Sequence, residues 1–235
     1  RIAFALRDRL ARAGVPAAGP SLAGVLRHLI IRTTRDEREA VAMLVVTRND
    51  KALRTPVKGL LASADRPDGF FLNIHDKPGP FMVGRETIKI AGKSHVREDG
   101  VRGPGAGRRE TGAGSREPGA AISFLVSPTA FFQTNVGAAE QLVRLVMEGV
   151  GVGAGRVLDL YCGSGLFSVP LAAAGTAVTA VEENRQATSD LQANLPLLDQ
   201  IRERTGGRRL ATTSNVYEPM TIAAGVSKPL WPLLL

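Results

Sequence analysis

Between Leu26 and Gly92 the apolar residues fall in short runs rather than in helical periods. LRHLIIRT (26–33) and AVAMLVVT (40–47) are rich in β-branched residues and flank the polar TRDERE, a pattern that predicts a β-hairpin. GFFLNIH (69–75) and ETIKIAG (86–92) read as further short strands, with ALRTPVKGLLASA between them as a helix broken near Pro56. Together they predict a small α+β module over residues 1–95.

The pattern then stops. REDGVRGPGAGRRETGAGSREPGA (97–120) has no hydrophobic period and is dense in Gly, Arg and Pro, so it buries too little apolar surface to offset the entropy of ordering it. It predicts a disordered linker over residues 96–120. Its acids, Glu98, Asp99, Glu110 and Glu117, nearly cancel its arginines, which favours a linker over a nucleic-acid-binding tract.

From residue 121 the rhythm alternates between strand and helix. AISFLVS (121–127) is a strand. VGAAEQLVRLVMEGV carries apolar residues at 136, 139, 142, 143, 146 and 150, one helical face, with Thr134 or Asn135 as its cap. Strand RVLDL, helix LFSVPLAAA ending at Gly175, strand TAVTAVE and helix NRQATSDLQAN follow. That order predicts a parallel sheet covered by helices.

Within it, DLYCGSGLF (159–167) lies at a strand end, turns at Gly163 and Gly165 and feeds a helix, where backbone amides can approach a ligand. The third glycine of the dinucleotide-binding G-x-G-x-x-G is missing, because Phe167 and Ser168 occupy that region. Glu182 ends the next strand, where a carboxylate can accept hydrogen bonds from both hydroxyls of a ribose. Asp159, a glycine turn and a second acid together fit S-adenosyl-L-methionine better than a dinucleotide.

The wider pattern S-P-T-A-F-F-Q-T-N (127–135), A-A-E-Q-L, V-L-D-L-Y-C-G-S-G-L-F-S-V-P-L-A and A-V-E-E-N-R-Q-A resembles the uracil-5 RNA methyltransferase family, which makes 5-methyluridine in tRNA and rRNA. The resemblance is close over residues 121–200 and loose over 24–92. It implies a partial Rossmann-like class I methyltransferase fold, the amino-terminal part of an S-adenosylmethionine-binding domain over 121–235, preceded by the small α+β domain. It also implies that Gln133, Tyr161 and Glu182 contact the cofactor. Leu166 stands where the family often has Asn, and Asn215, in SNVYE after a candidate strand RLATT, is a further cofactor candidate.

Family chemistry needs a cysteine thiolate that adds to carbon 6 of uracil and a carboxylate base that later removes the proton from carbon 5. In the family that cysteine lies in an S-C-N-like segment well after the glycine loop, with the base glutamate later still; neither segment occurs in these 235 residues. Cys162, the one cysteine, sits instead in the glycine turn, where the family commonly has a cysteine packed beneath the cofactor. We expect it to be a bystander, with no catalytic residue in the chain as given. The expected function is an RNA uracil-5 methyltransferase whose chain is incomplete and inactive as given. The alternative is a non-catalytic RNA-binding or cofactor-binding remnant.

Charge sharpens the division of labour. Residues 1–95 hold 17 Lys/Arg against 9 Asp/Glu, whereas residues 118–235 hold 8 against 9. A basic module favours a polyanion through counterion release without naming which one, and a merely solvated basic surface fits the charge as well. The family resemblance implies that the partner of the amino-terminal half is RNA, tRNA or rRNA. Arg27, Arg32, Arg48, Lys51, Arg54 and Lys58 are its candidate phosphate contacts. His28, His75, His95 and one thiol make no metal-ligand spacing, so no metal is expected. No apolar run is long enough to span a membrane, and the charged RIAFALRDRLARAG is unlike a signal peptide. The chain reads as cytoplasmic, with an organelle left open because it starts at Arg1.

Overall fold

The computed structural model describes residues 1–79, 81–101, 122–151 and 155–205, with side chains up to residue 195. Asn215 lies outside the described residues, as do the strand RLATT and most of the Gly/Arg tract.

The amino-terminal unit is a four-stranded sheet in the order β1-β2-β3-β4, formed by β1 (Leu26–Thr33), β2 (Ala40–Val46), β3 (Gly69–Ile74) and β4 (Glu86–Gly92). β1 and β2 form the expected hairpin. β2 and β3 are parallel, joined through α2 (Arg54–Leu61), and β3 and β4 are antiparallel. Pro56 does not break α2. It sits in the first turn, where its missing N–H has no intrahelical acceptor to lose.

The unbroken apolar run of β2 has a direct cause: the strand is buried on both faces. Ala42, Leu44 and Val46 pack with Phe70 and Leu72 under α1 (Ile2–Arg12) and α2, through Leu6, Leu10, Val57 and Leu60. Val41, Met43 and Val45 point the other way, into a core shared with the carboxyl-terminal half. In α1 the apolar Ile2, Leu6 and Leu10 recur every fourth residue, which puts them on one helical face.

The linker expectation needs correction at its start. Val96–Val101 is a strand, β5, paired antiparallel with β6 (Ile122–Val126). Val96 and Val101 are buried, and so is Glu98, whose carboxylate accepts the Arg35 amide at 3.0 Å. Burial pushes the Glu98 carboxyl up from its ordinary range. Glu39 anchors the same segment by accepting Lys93 Nζ at 2.7 Å and the Arg97 amide at 2.9 Å.

β6 therefore joins β5 rather than the parallel sheet. Among the described residues that sheet consists of β7 (Arg156–Leu160) and β8 (Ala177–Val181). α3 (Val136–Val150) begins at Asn135, whose side chain accepts the Ala138 amide at 3.0 Å and so decides between the two expected caps. α4 (Ser168–Ala173) and α5 (Arg185–Thr205) flank β7 and β8 in sequence, and α5 runs well beyond the expected NRQATSDLQAN.

Candidate cofactor site

The loop after β7 is built by its backbone. Tyr161 takes φ +60, Gly163 φ +58 and Gly165 φ +92. For a tyrosine the left-handed region is uncommon and strained. The Tyr161 ring is nevertheless 84% exposed, so no packing of its own holds it there.

The two glycines do different work. A Cβ at Gly163 would meet only the Phe131 carbonyl at 3.8 Å, which leaves this side of the turn open and places the F-F-Q segment beside it. A Cβ at Gly165 would run into the side chains of Leu191 and Val169. Gly165 therefore lets α4 and α5 pack tightly against the loop, and Gly163 is the glycine that leaves room for a ligand.

Both acids are already engaged. Asp159 accepts a 2.5 Å hydrogen bond from the buried Ser168 hydroxyl, fixing the start of α4 to the end of β7. Glu182 accepts the Gly163 amide through Oε2 and the Asn184 amide through Oε1, each at 2.8 Å. One carboxylate thus links the end of β8, the glycine turn and the start of α5. Each of its oxygens keeps a second lone pair, so two hydroxyls can still be accepted. Asn184 caps α5 by accepting the Gln186 and Ala187 amides.

The structure gathers Asp159, Tyr161, Gly163, Gly165 and Glu182 at one strand-end loop. Gln133 is half-buried and lies two residues beyond Phe131 in the neighbouring segment. Leu166 is different. Its side chain is packed in the core with Val169, Ala187 and Leu191, so only its backbone is available to a ligand.

Cys162 is 6% exposed, and its thiol is pushed up to about 11, first by burial and then by the negative charge of Asp159 and Glu182. Thiolate nucleophiles need the opposite environment, electropositive and accessible. The histidines are also accounted for locally: His75 Nε2 meets the Phe81 carbonyl at 2.9 Å and His95 Nε2 meets Asp190 at 3.2 Å, while His28 is exposed. Among the described residues no cluster of side chains could hold a metal ion, and no helix is long and apolar enough to cross a membrane.

Of the six basic candidates, three are committed to the fold. Arg27 donates to the carbonyls of His75 and Lys77, Arg32 to that of Ala130, and Arg48 pairs with Asp50. Lys51, Arg54 and Lys58 are exposed on the helical layer, where Arg9 of α1 lies beside Gly59 of α2. Residues 1–12 and 50–66, which contain this layer, hold eight Lys/Arg against three Asp/Glu; the rest of residues 1–95 holds nine against six.

The arrangement of β7, glycine turn, α4, β8 and a terminal acid is part of a class I, Rossmann-like methyltransferase fold, α/β in class. The same fold is seen in the Pyrococcus abyssi tRNA (uracil-54, C5)-methyltransferase solved with S-adenosyl-L-homocysteine, with TM-score 0.62 and 22% identity over 85% of this chain and 43% of that one. Residues 119–201 match the family model for tRNA (Uracil-5-)-methyltransferase, so the resemblance read from the sequence holds on this stretch. Uncharacterized RNA methyltransferases of Gloeobacter violaceus and Geobacter sulfurreducens are 32% and 26% identical to the chain, over 73% and 84% of its length and 34% and 37% of theirs. The chain thus spans about a third of the length of these curated relatives.

Proposed function

We propose that this chain supplies the cofactor-binding and RNA-contacting parts of an S-adenosylmethionine-dependent RNA uracil-5 methyltransferase acting on tRNA or rRNA. The observation that carries the reading is the position of Glu182: a strand-end carboxylate bonded to the Gly163 amide, with the F-F-Q segment running beside the open face of the same glycine.

In this reading Glu182 accepts the ribose hydroxyls, and Gly163 leaves space for the ligand. Tyr161 and Gln133 contact it from the two adjoining segments, with Asn215 a further contact. Asp159 acts by fixing the loop through Ser168. The bound cofactor supplies an electrophilic methyl group on a sulfonium centre. Cys162 takes no part as nucleophile, because its buried thiol keeps its proton at neutral pH.

RNA is expected on the α1–α2 layer. It holds most of the charge excess of residues 1–95, and exposed Lys and Arg meet phosphates without reading sequence. The opposite face of the same sheet is buried toward the methyltransferase half, so the polyanion and the cofactor use different sides of β2.

The test is ultraviolet cross-linking of radiolabelled S-adenosylmethionine to the chain, with unlabelled S-adenosylhomocysteine or NAD as competitor. Labelling that the homocysteine analogue abolishes and NAD does not is the expected result. No labelling, or equal competition by NAD, overturns the cofactor assignment.

A further inference from the structure

Four consecutive positions on the buried face of α5 are Ala187, Asp190, Leu191 and Asn194, and two of them are polar with no exposed surface. A buried carboxylate and amide are costly unless fully bonded, and apolar side chains would fill the same space without that cost. What they bond to explains them.

Asn194 accepts the Leu125 amide at 2.7 Å and donates to the Leu125 carbonyl at 3.2 Å and to the Ser164 carbonyl at 3.0 Å. Asp190, one turn earlier, accepts the Ser127 amide at 2.8 Å and, more weakly, the Ser164 hydroxyl at 3.5 Å. Leu125 and Ser127 are alternate residues and present their amides on the same edge of the chain. The two side chains therefore take the place of a neighbouring strand along that edge, and both also hold Ser164, the residue between the two glycines of the cofactor loop.

We infer that Asp190 and Asn194 are positioning residues that set the spacing between the S-P-T-A-F-F-Q segment, which begins at Ser127, and the glycine loop. The inference rests on the proposed cofactor site, because these are the two segments that would face each other across the ligand. Asp190 carries the coupling further. Its other oxygen meets His95 at 3.2 Å and Gln186 at 3.3 Å, and its charge acts on Arg32, which donates to the Ala130 carbonyl within the same segment. His95 and Arg32 belong to the amino-terminal half, so one buried carboxylate ties that half to both cofactor segments.

The experiment compares the full 235-residue chain with Asn194→Asp, which sets a carboxylate against the carbonyls of Leu125 and Ser164, and with Val143→Ala, which only loosens the core. Two quantities are read: the Kd for S-adenosylhomocysteine by calorimetry, and amide exchange at Gly163–Phe167 against β2. In Asn194→Asp the Kd rises at least tenfold and loop exchange speeds at least tenfold, with β2 unchanged. In Val143→Ala both loop exchange and Kd stay within twofold of the parent while Tm falls. Should Asn194→Asp lose protection in β2 as well, His95→Ala reads the same coupling from outside the cofactor site, with loop exchange faster by about threefold. Loop exchange within twofold of the parent in a folded variant overturns the inference. A parent chain that binds no S-adenosylhomocysteine overturns the cofactor reading instead, and loop exchange still decides the positioning role.

Discussion

The sheet β1–β4 and the pair β7–β8 are built from similar short apolar strands but are buried very differently. β2 has almost no exposed surface, because helices cover one face and the shared core covers the other. In β7 and β8 one face carries Leu158, Leu160 and Val181 at 60%, 58% and 45% exposure, while Val178 on the other face is buried. Completeness of packing separates the two regions, not strand propensity. Among the described residues the first is the better-packed region and should be the more stable one.

The largest expected contrast comes from matched leucines. Leu44→Ala, at a 3% exposed position, should cost roughly 2–5 kcal/mol, whereas Leu158→Ala should stay within roughly 0.5 kcal/mol. Urea unfolding of both variants checks this. A comparable loss at Leu158 would mean that its face is covered in solution.

Next come the glycines. Gly165→Ala must move Leu191 and Val169 as well as strain the backbone, about 2–4 kcal/mol in all, against about 1–2 kcal/mol for Gly163→Ala, which has open space before it. Thermal unfolding would rank them. A Gly163→Ala chain that keeps its stability but loses S-adenosylhomocysteine binding would sharpen the assignment of that open side to the ligand.

The smallest effect concerns Cys162. Its thiol is pushed from 9.0 to about 11, so between those values the folded chain holds a proton that the unfolded chain releases. The associated stability is complete below pH 9 and is lost as pH rises toward 11. Iodoacetamide at pH 8 should label the native chain far more slowly than the unfolded one. Equal rates would contradict the buried, bystander thiol.

What the sequence disclosed and what it concealed follow the range of the interactions. The hairpin, a helix cap at Thr134 or Asn135 and the glycine turn were legible because each is set by residues a few positions apart. β5 was not, since VREDGV resembles solvated linker until Glu98 meets the Arg35 amide and β6 arrives from some twenty residues further on. The i, i+4 pair Asp190 and Asn194 resembles an exposed helix face, and only the contacts to Leu125, Ser127 and Ser164 reveal why both are buried. α1 could have been found from Ile2, Leu6 and Leu10, whose spacing the intervening arginines obscure. The basic residues illustrate the same limit: composition located the charge excess, and the fold showed that Arg27, Arg32 and Arg48 are spent on structure.

In the proposed site Glu182 makes the glycine loop a nucleoside-binding loop. Calorimetric titration of S-adenosylhomocysteine into the parent chain and into Glu182→Gln tests it most directly. The variant keeps the size of the side chain but removes its charge and one acceptor oxygen. The parent should bind saturably, and the variant more weakly by roughly 1.5–3 kcal/mol, about ten- to a hundredfold in Kd. Equal affinity in the two chains, with the loop still ordered, would contradict it.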